Sequence, residues 1–473
     1  MTDIDEAFTL MGFGRMQICV FITCFLLQMW ANNEQMGFAV VVAAATCDLE
    51  ISNERVSWLM VCNFGAQMVL SLVWGEISDR YGRRKAIIST CPGALLASLL
   101  SAFMPEFWSF LVMRVLTGAL LGGPVGVMMT YLGELTKVSL RPKVLNYSNY
   151  AFGLSLIQVP ALAIVILPLK TGPLESWRAL HLTSMFPGLC GTIAMLFLPE
   201  SPKFYLSIHQ EAKAMKTMER ICRCNKGKHV TLATLGIESI TQPRLETPDK
   251  GHCTKSKTLL TKYRNYMLLM MFIIVIHSGM GFGLPIWMLR IRVAMQSRKE
   301  GPTMCEHMRE TTAARIIQCD LQLSDLLDVI IHGFVVLGFF IVTSLLLFIL
   351  SRRVVMLSYI GIAIIGGINL NFARNNHLIL ICFFALIDAP LCCLRLLVTF
   401  LIDLIPTHLR GKAMAILFMM GRIGVLSTSV FVGYTLGWNC HATFNTLMII
   451  LAASGILVFM LPSDRRIQAM YKS

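Results

Sequence analysis

Charge is scarce in this sequence. Of 473 residues 14% are charged and 55% hydrophobic, and the apolar residues come in blocks rather than at the spacing of an amphipathic surface helix. Soluble domains carry about 25% charged residues and shorter apolar runs, so an ordinary water-soluble fold is excluded. Other absences narrow the class. There is no Gly-Lys-Ser/Thr phosphate loop, no HExxH helix and no nucleophile elbow, which disfavours ATP-driven transport and hydrolysis. No enzymatic role, metal or cofactor is expected. The opening residues, MTDIDEAFTLMGFGR, lack the basic start, short apolar core and cleavage site of a signal peptide.

What the chain does contain is a series of long apolar blocks, near 16–46, 56–74, 86–104, 108–133, 144–168, 179–198, 266–289, 326–350, 354–372, 377–402, 412–435 and 443–462. At about 1.5 Å per residue each is long enough to cross a hydrocarbon layer of about 30 Å. They predict twelve transmembrane helices, numbered here as spans 1 to 12, in an all-α membrane protein built of two six-helix bundles. The expected organisation is a first bundle over 1–202, a polar loop over 203–264 and a second bundle over 265–473 that carries another polar loop at 290–325.

Basic residues orient the spans. With the N-terminus inside, the short inner segments hold Arg15, Arg80, Arg83, Arg84, Lys85, Lys137, Arg141, Lys143, Arg352, Arg353, Arg410, Lys412, Arg465, Arg466 and Lys472, against Arg55, Lys170, Arg178 and Arg374 outside. The positive-inside rule then puts both termini and 203–264 in the cytoplasm and 290–325 outside. The net charge of +14 is therefore topological, and no nucleic-acid partner is expected.

A repeat underlies this layout. Glu134 and Arg141 after span 4 recur as Asp403 and Arg410 after span 10, an offset of 269 residues. The same offset carries Arg83 and Arg84 to Arg352 and Arg353. Two unrelated pairs sharing one offset point to two halves related by a parallel repeat.

The stretch GEISDRYGRRK at 75–85, between spans 2 and 3, resembles the signature of the major facilitator superfamily in Gly75, Asp79, Arg80, Gly82, Arg83 and Arg84. LPESPKF after span 6 and PTHLRG at 406–411 resemble the branch of organic ion transporters and sugar porters. AFTLMGFGRMQ, FGLPIW and GRIG are similar to the synaptic vesicle glycoprotein 2-like group, its insect members above all. The resemblance implies two bundles that rock about a central site, with the 75–85 turn closing the inner side of one state. Asp79 is expected to pair with a base near the end of span 4 or 11 and to accept from a helix N-terminus. Arg83, Arg84 and Lys85 also read as purely topogenic charges.

Ionisable residues within the spans are costly, at least about 2.5 kcal/mol each at a helix centre. Glu34 in span 1, Arg114 in span 4, Asp388 and Arg395 in span 10 and Arg422 in span 11 are therefore candidates for substrate or coupling-ion sites, with His277 and His332 as softer cases. Arg422 lies about 16 Å in from Gly411 by helix rise, too deep to snorkel readily. It faces a cavity, or it is neutralised by Asp388 or Glu34. Glu34 suits a proton or cation site, or a structural hydrogen-bonding role; relatives in the vesicle-glycoprotein group carry an acidic pair there, of which only Glu34 is present. Arg114 matches the span 4 arginine of the superfamily, where it serves helix packing and coupling.

Gly118, Gly122 and Gly126 have the spacing of a close helix contact. Gly281, Gly283 and Pro285 interrupt span 7. Cys305 and Cys319 flank the outer loop, and a bridge between them would close a ring worth about 3 kcal/mol; Cys47 and Cys440 are alternative partners. Cys222, Cys224, Cys253, His229 and His252 form a poor zinc pattern. The expected function is alternating-access transport of a small organic solute, an organic ion by preference, with H+ or another coupling ion, by a monomer in the plasma membrane or a vesicle membrane. A receptor or scaffold that kept the fold without transporting is the rival reading.

Overall fold

The computed structural model describes residues 2–46, 48–49, 51, 53–137, 140–169, 174–241, 263–288, 303–306, 323–405, 407–436 and 438–462. Helix occupies every one of the twelve expected blocks. Span 1 runs Arg15–Asn32, widens into a π-turn at Asn33–Gly37 and resumes as Phe38–Ala45. Spans 2, 3 and 4 are Asn53–Tyr81, Arg83–Ser101 and Phe107–Glu134. Span 5 joins Arg141–Ser148 to Tyr150–Ile166, and span 6 joins Ser176–Ser184 to Phe186–Met195. In the second half, span 7 is Arg264–Ser278 with a π-turn at Gly279–Gly283 and a 3-10 turn at Pro285–Trp287. Spans 8 to 12 are Leu323–Ile349, Arg352–Leu370, Asn376–Leu404, Thr407–Thr435 and Cys440–Met460.

Among the described residues eight helices are long and apolar enough to cross a membrane unaided, and span 1 joins them when taken with helix Ile4–Met11, which meets it at a bend of 105°. Spans 2, 3 and 6 fall short alone; span 2, for instance, is diluted by Asn63, Gln67 and Ser71. Phe186, Phe197, Phe348 and Ile349 point outward with more than half their surface exposed. That exposure would be ruinous in water and is what lipid solvates.

The interior separates by half. One apolar cluster is built almost wholly from spans 7 to 12, and two others belong to the first half. Contact between the halves relies on small residues. A Cβ at Gly75 would lie 3.4 Å from Ala415 of span 11, and one at Gly153 of span 5 would lie 3.2 Å from the Gly333 carbonyl of span 8. Within the first half, Gly118 and Gly122 let span 4 rest on the span 2 backbone, where a Cβ would come within 2.6 Å of Asn63 O and 3.2 Å of Gln67 O. Glycines in span 7 serve packing too: Cβ atoms at Gly279 and Gly283 would each sit 2.9 Å from carbonyls of span 11.

The repeat is visible in contacts. Arg84 donates to Met195 O and Leu196 O at the end of span 6 (3.4 and 2.7 Å), and Arg353 donates to Leu461 O after span 12 at 3.3 Å. Both arginines meet the exposed carbonyls and negative dipole of a helix C-terminus. The side chains of Asp403 and Arg410, the other repeated pair, lie outside the described residues.

Beyond the spans, helix Glu211–Lys226 buries Ala214, Met218, Ile221 and Cys222 against the basic end of the first half. Thr2–Asp3 pairs in parallel with Ile240–Thr241. Asp5 bonds Lys203 and approaches Arg141 at 3.7 Å. Burial, with Arg141 nearby, holds the Lys203 ammonium below its ordinary pKa, and Asp5 opposes that shift.

The outer-loop bridge takes one of its alternative partners. Cys305 is bonded to Cys440, with Cα atoms 5.4 Å apart, and not to the preferred Cys319. Nearness in sequence favoured the local partner, but the fold seats Cys305 against the start of span 12. Cys319 and Cys47 lie outside the described residues, as do Cys253 and His252. Among the described residues no group of His, Cys, Asp and Glu is arranged to hold a metal.

Candidate functional site

Two layers of polar side chains run through the apolar bundle. The first surrounds the 75–85 turn. Gly82 has φ +113°, a region closed to most L-residues, and a Cβ there would lie 2.4 Å from Glu200 Oε2. The Glu200 carboxylate accepts from the backbone N–H groups of Arg84 (2.9 Å), Lys85 (3.3 Å) and Ser201 (3.0 Å), capping the N-terminus of span 3. Tyr131 on span 4 donates to the Pro199 carbonyl. Arg83 lies at the centre, 3.1 Å from Asp79 and 3.1 Å from Glu134 at the end of span 4. Arg80 is exposed and lies over the Tyr81 ring at 5.7 Å.

The end of span 4 contributes an acid, Glu134, and Arg83 of the turn joins it to Asp79. Glu200 caps the N-terminus of span 3. A guanidinium carries one positive charge but five N–H donors, so Arg83 can hold both carboxylates at once, and folding brings the two acids within its reach.

The second layer lies deeper. Glu34, in the π-turn of span 1, is 2% exposed. Its Oε2 accepts from Arg114 Nη1 at 2.7 Å, and its Oε1 accepts from Ser98 Oγ at 2.7 Å and Trp30 Nε1 at 3.1 Å. Arg114 also donates to Ser98 and Thr117, both at 3.1 Å, and lies over Phe38 at 4.3 Å. His181 Nε2 is 3.2 Å from both Ser98 Oγ and Ser101 Oγ. Glu34 and Arg114 are thus a buried ion pair.

Among the described residues Arg422 has no such counter-ion. Its Nη1 donates to Gln67 Oε1 at 2.6 Å, and its buried Nε has no partner among them. Neither acid proposed to neutralise it does so. Glu34 is held by Arg114, and Asp388 by His332, whose Nε2 lies 2.9 Å from Asp388 Oδ1. Gln67 continues the connection, donating to Asn63 Oδ1 at 2.6 Å, while Asn63 donates to the Glu34 carbonyl at 3.2 Å. A small, partly open cavity of about 40 Å³ lies between spans 2, 4 and 11, lined by Asp79, Ser71, Thr130, Phe418 and Arg422 among others. It connects the two layers. Arg395, on span 10, makes no hydrogen bond among the described residues, and its Nε is buried; it is brought to neither layer.

Gln67, Asn63, Ser98 and His181 were missed by a reading that searched for charge. Asn63, Gln67 and Ser71 recur every four residues, a polar stripe on one helix face, and that signal was available. Glu200 was seen only as part of LPESPKF, without a role.

Residues 17–299 match the Major Facilitator Superfamily. Among individual proteins, svop-1 of Caenorhabditis elegans is 31% identical over 245 residues, 50% of this chain and 45% of that protein. Synaptic vesicle 2-related protein of Xenopus laevis is 28% identical over 47% of this chain and 39% of its own length. Organic cation/carnitine transporter 7 of Arabidopsis thaliana is 28% identical over 47% and 43%. The chain thus spans about half the length of the curated relatives it matches. In architecture it is similar to the proton:xylose symporter XylE, with a TM-score of 0.68 over 95% of this chain and 96% of that one, at 15% identity.

Proposed function

This chain belongs to the Major Facilitator Superfamily, and from that premise we propose that it carries a small organic anion across a membrane by alternating access. The observation that carries the substrate charge is Arg422. A guanidinium buried in a membrane protein is costly unless it is paired, and here it lines an inter-half cavity with an amide as its partner. A carboxylate or sulfate entering that cavity would supply the missing charge through two parallel hydrogen bonds.

The other residues take supporting roles in this reading. Asp79, Arg83 and Glu134 form the inner latch, with Gly75 and Gly82 allowing the close approach. Charge networks of this kind suit a latch because their Coulombic gain and desolvation cost nearly cancel. Glu34 with Arg114 is the proposed coupling-ion site, since a proton taken by Glu34 would release the guanidinium. Both termini and 203–264 are assigned to the cytoplasm by the basic residues, in the plasma membrane or a vesicle membrane, with the protein acting as a monomer.

The test is uptake into proteoliposomes containing the purified chain, using panels of small organic anions, cations and neutral sugars. Accumulation of one or more anions, reduced in Arg422→Lys, is the expected result. Selective uptake of cations or sugars, unaffected by that substitution, would overturn the anion assignment. Failure of every panel member would favour the receptor or scaffold reading.

A further inference from the structure

Spans 8 and 10 hold a second acid–base pair that the proposed anion site does not use. The side chains of His332 and Asp388 are almost wholly buried, at 4% and 1%. The His332 ring stacks on Phe384, with centroids 4.6 Å apart and planes 10° from parallel, which fixes Nε2 toward Asp388 Oδ1. Asp388 Oδ2 is buried and bonded to nothing among the described residues.

That arrangement is incomplete in one respect. A carboxylate beside a neutral imidazole leaves a full negative charge in a medium that cannot solvate it. One added proton makes the pair neutral overall, as imidazolium with carboxylate or imidazole with carboxylic acid, and either form keeps the hydrogen bond. Titratable and charged groups on the elements packed against the pair include Asp328 on span 8, Cys382, Cys392, Cys393 and Arg395 on span 10, and His277 on span 7. Tyr150 on span 5, Tyr359 on span 9 and Arg422 on span 11 are others. None is hydrogen-bonded to either member.

Position gives the pair a mechanical context. Gly333 follows His332 directly, and a Cβ there would fall 3.0 Å from the Gly153 carbonyl and 2.6 Å from Ile157 Cγ1 of span 5. Spans 5 and 8 belong to different halves, so their backbones meet one residue from the imidazole. Movement of one half over the other must change the surroundings of this pair.

We propose that His332 and Asp388 form a proton-binding site in the second half, loaded and unloaded as the halves move, separate from Glu34. The proton comes from water on one side and returns to water on the other; no other bond forms or breaks. The site requires no knowledge of the substrate and stands apart from the anion assignment.

Infrared difference spectroscopy of the purified full chain in lipid nanodiscs, titrated with pH, tests it. In the wild type, carboxyl or imidazole bands share one midpoint with an amide I change that reports backbone rearrangement. Asp388→Asn and His332→Gln each abolish that shared midpoint, leaving the remaining group to titrate about one pH unit or more away. Asp388→Glu retains it, which covers the case in which the Asn variant does not fold. An unchanged midpoint in both Asp388→Asn and His332→Gln, or its loss only in Glu34→Gln, overturns the proposal.

Discussion

Arg422 Nη1 stands 2.6 Å from Gln67 Oε1, a hydrogen bond that crosses from one half of the molecule to the other. A lysine there would keep the charge and lose the planar fork that grips a carboxylate. Arg422→Lys is expected to fold normally and to weaken apparent affinity roughly tenfold or more, the equivalent of about 1.4 kcal/mol. Competition binding with the best anion from the uptake panel measures it. Equal affinity in the two proteins would leave the arginine with a structural role.

The Glu34–Arg114 pair is buried on both sides, at 1% and 0%. Removing one member should cost more than removing both, because a lone buried charge is the expensive species. Arg114→Ala is expected to destabilise by about 3–5 kcal/mol, whereas Glu34→Gln with Arg114→Met should recover much of that. Thermal unfolding in detergent, followed by size-exclusion chromatography, gives the comparison. An additive double variant would argue against direct coupling.

At the turn, Gly82→Ala meets two obstacles: a φ of +113° and the Glu200 carboxylate. We expect a larger fall in melting temperature than for Glu200→Ala, whose lost cap amounts to about 0.5–2 kcal/mol. If Gly82→Ala proved the milder change, the turn must relax in solution.

Cys305 and Cys440 should appear bridged in a non-reducing peptide map, with Cys319 absent from that linkage. Quantitative alkylation of Cys440 without reductant would contradict the pairing.

Outside the membrane, Glu219 accepts from the Leu232 N–H at 2.8 Å and from Arg223 at 2.8 Å, and those donors lower its pKa, the backbone N–H first. A depressed carboxyl contributes stability above its unfolded pKa, about 4.3, and loses it as pH falls through the folded value. Protection factors for hydrogen exchange over 211–235 should therefore fall below about pH 4.3 in the wild type, and Glu219→Gln should flatten that dependence. Identical profiles would dismiss the contact as incidental.

Most spans were legible because lipid imposes a length and a polarity, while spans 2, 3 and 6, which fall short alone, were legible as apolar blocks between charged turns. The repeat was legible for a different reason: Arg83, Arg84, Arg352 and Arg353 keep their spacing because each half repeats the same turns. Partner choice was less so. Arg114, rather than Arg422, takes Glu34 because spans 1 and 4 pack inside one half, and no spacing along the chain states that. Gln67 escaped notice because an uncharged amide carries little weight in a search for costly groups. Among the partners open to Cys305, nearness in sequence favoured Cys319, whereas nearness in space selects Cys440.

The amide of Gln67 has a further consequence. Its oxygen accepts from Arg422 at 2.6 Å and also from Gln35 Nε2 at 3.3 Å. A carbonyl oxygen has two lone pairs, so when the guanidinium turns away toward cargo, the oxygen still has a donor from its own half. The contact can therefore open without stranding a bare acceptor, an event that would otherwise cost about 1–3 kcal/mol. In the proposed transport cycle Gln67 would then serve as a disconnectable coupling, engaged while the cavity is empty and released once Arg422 has something else to hold.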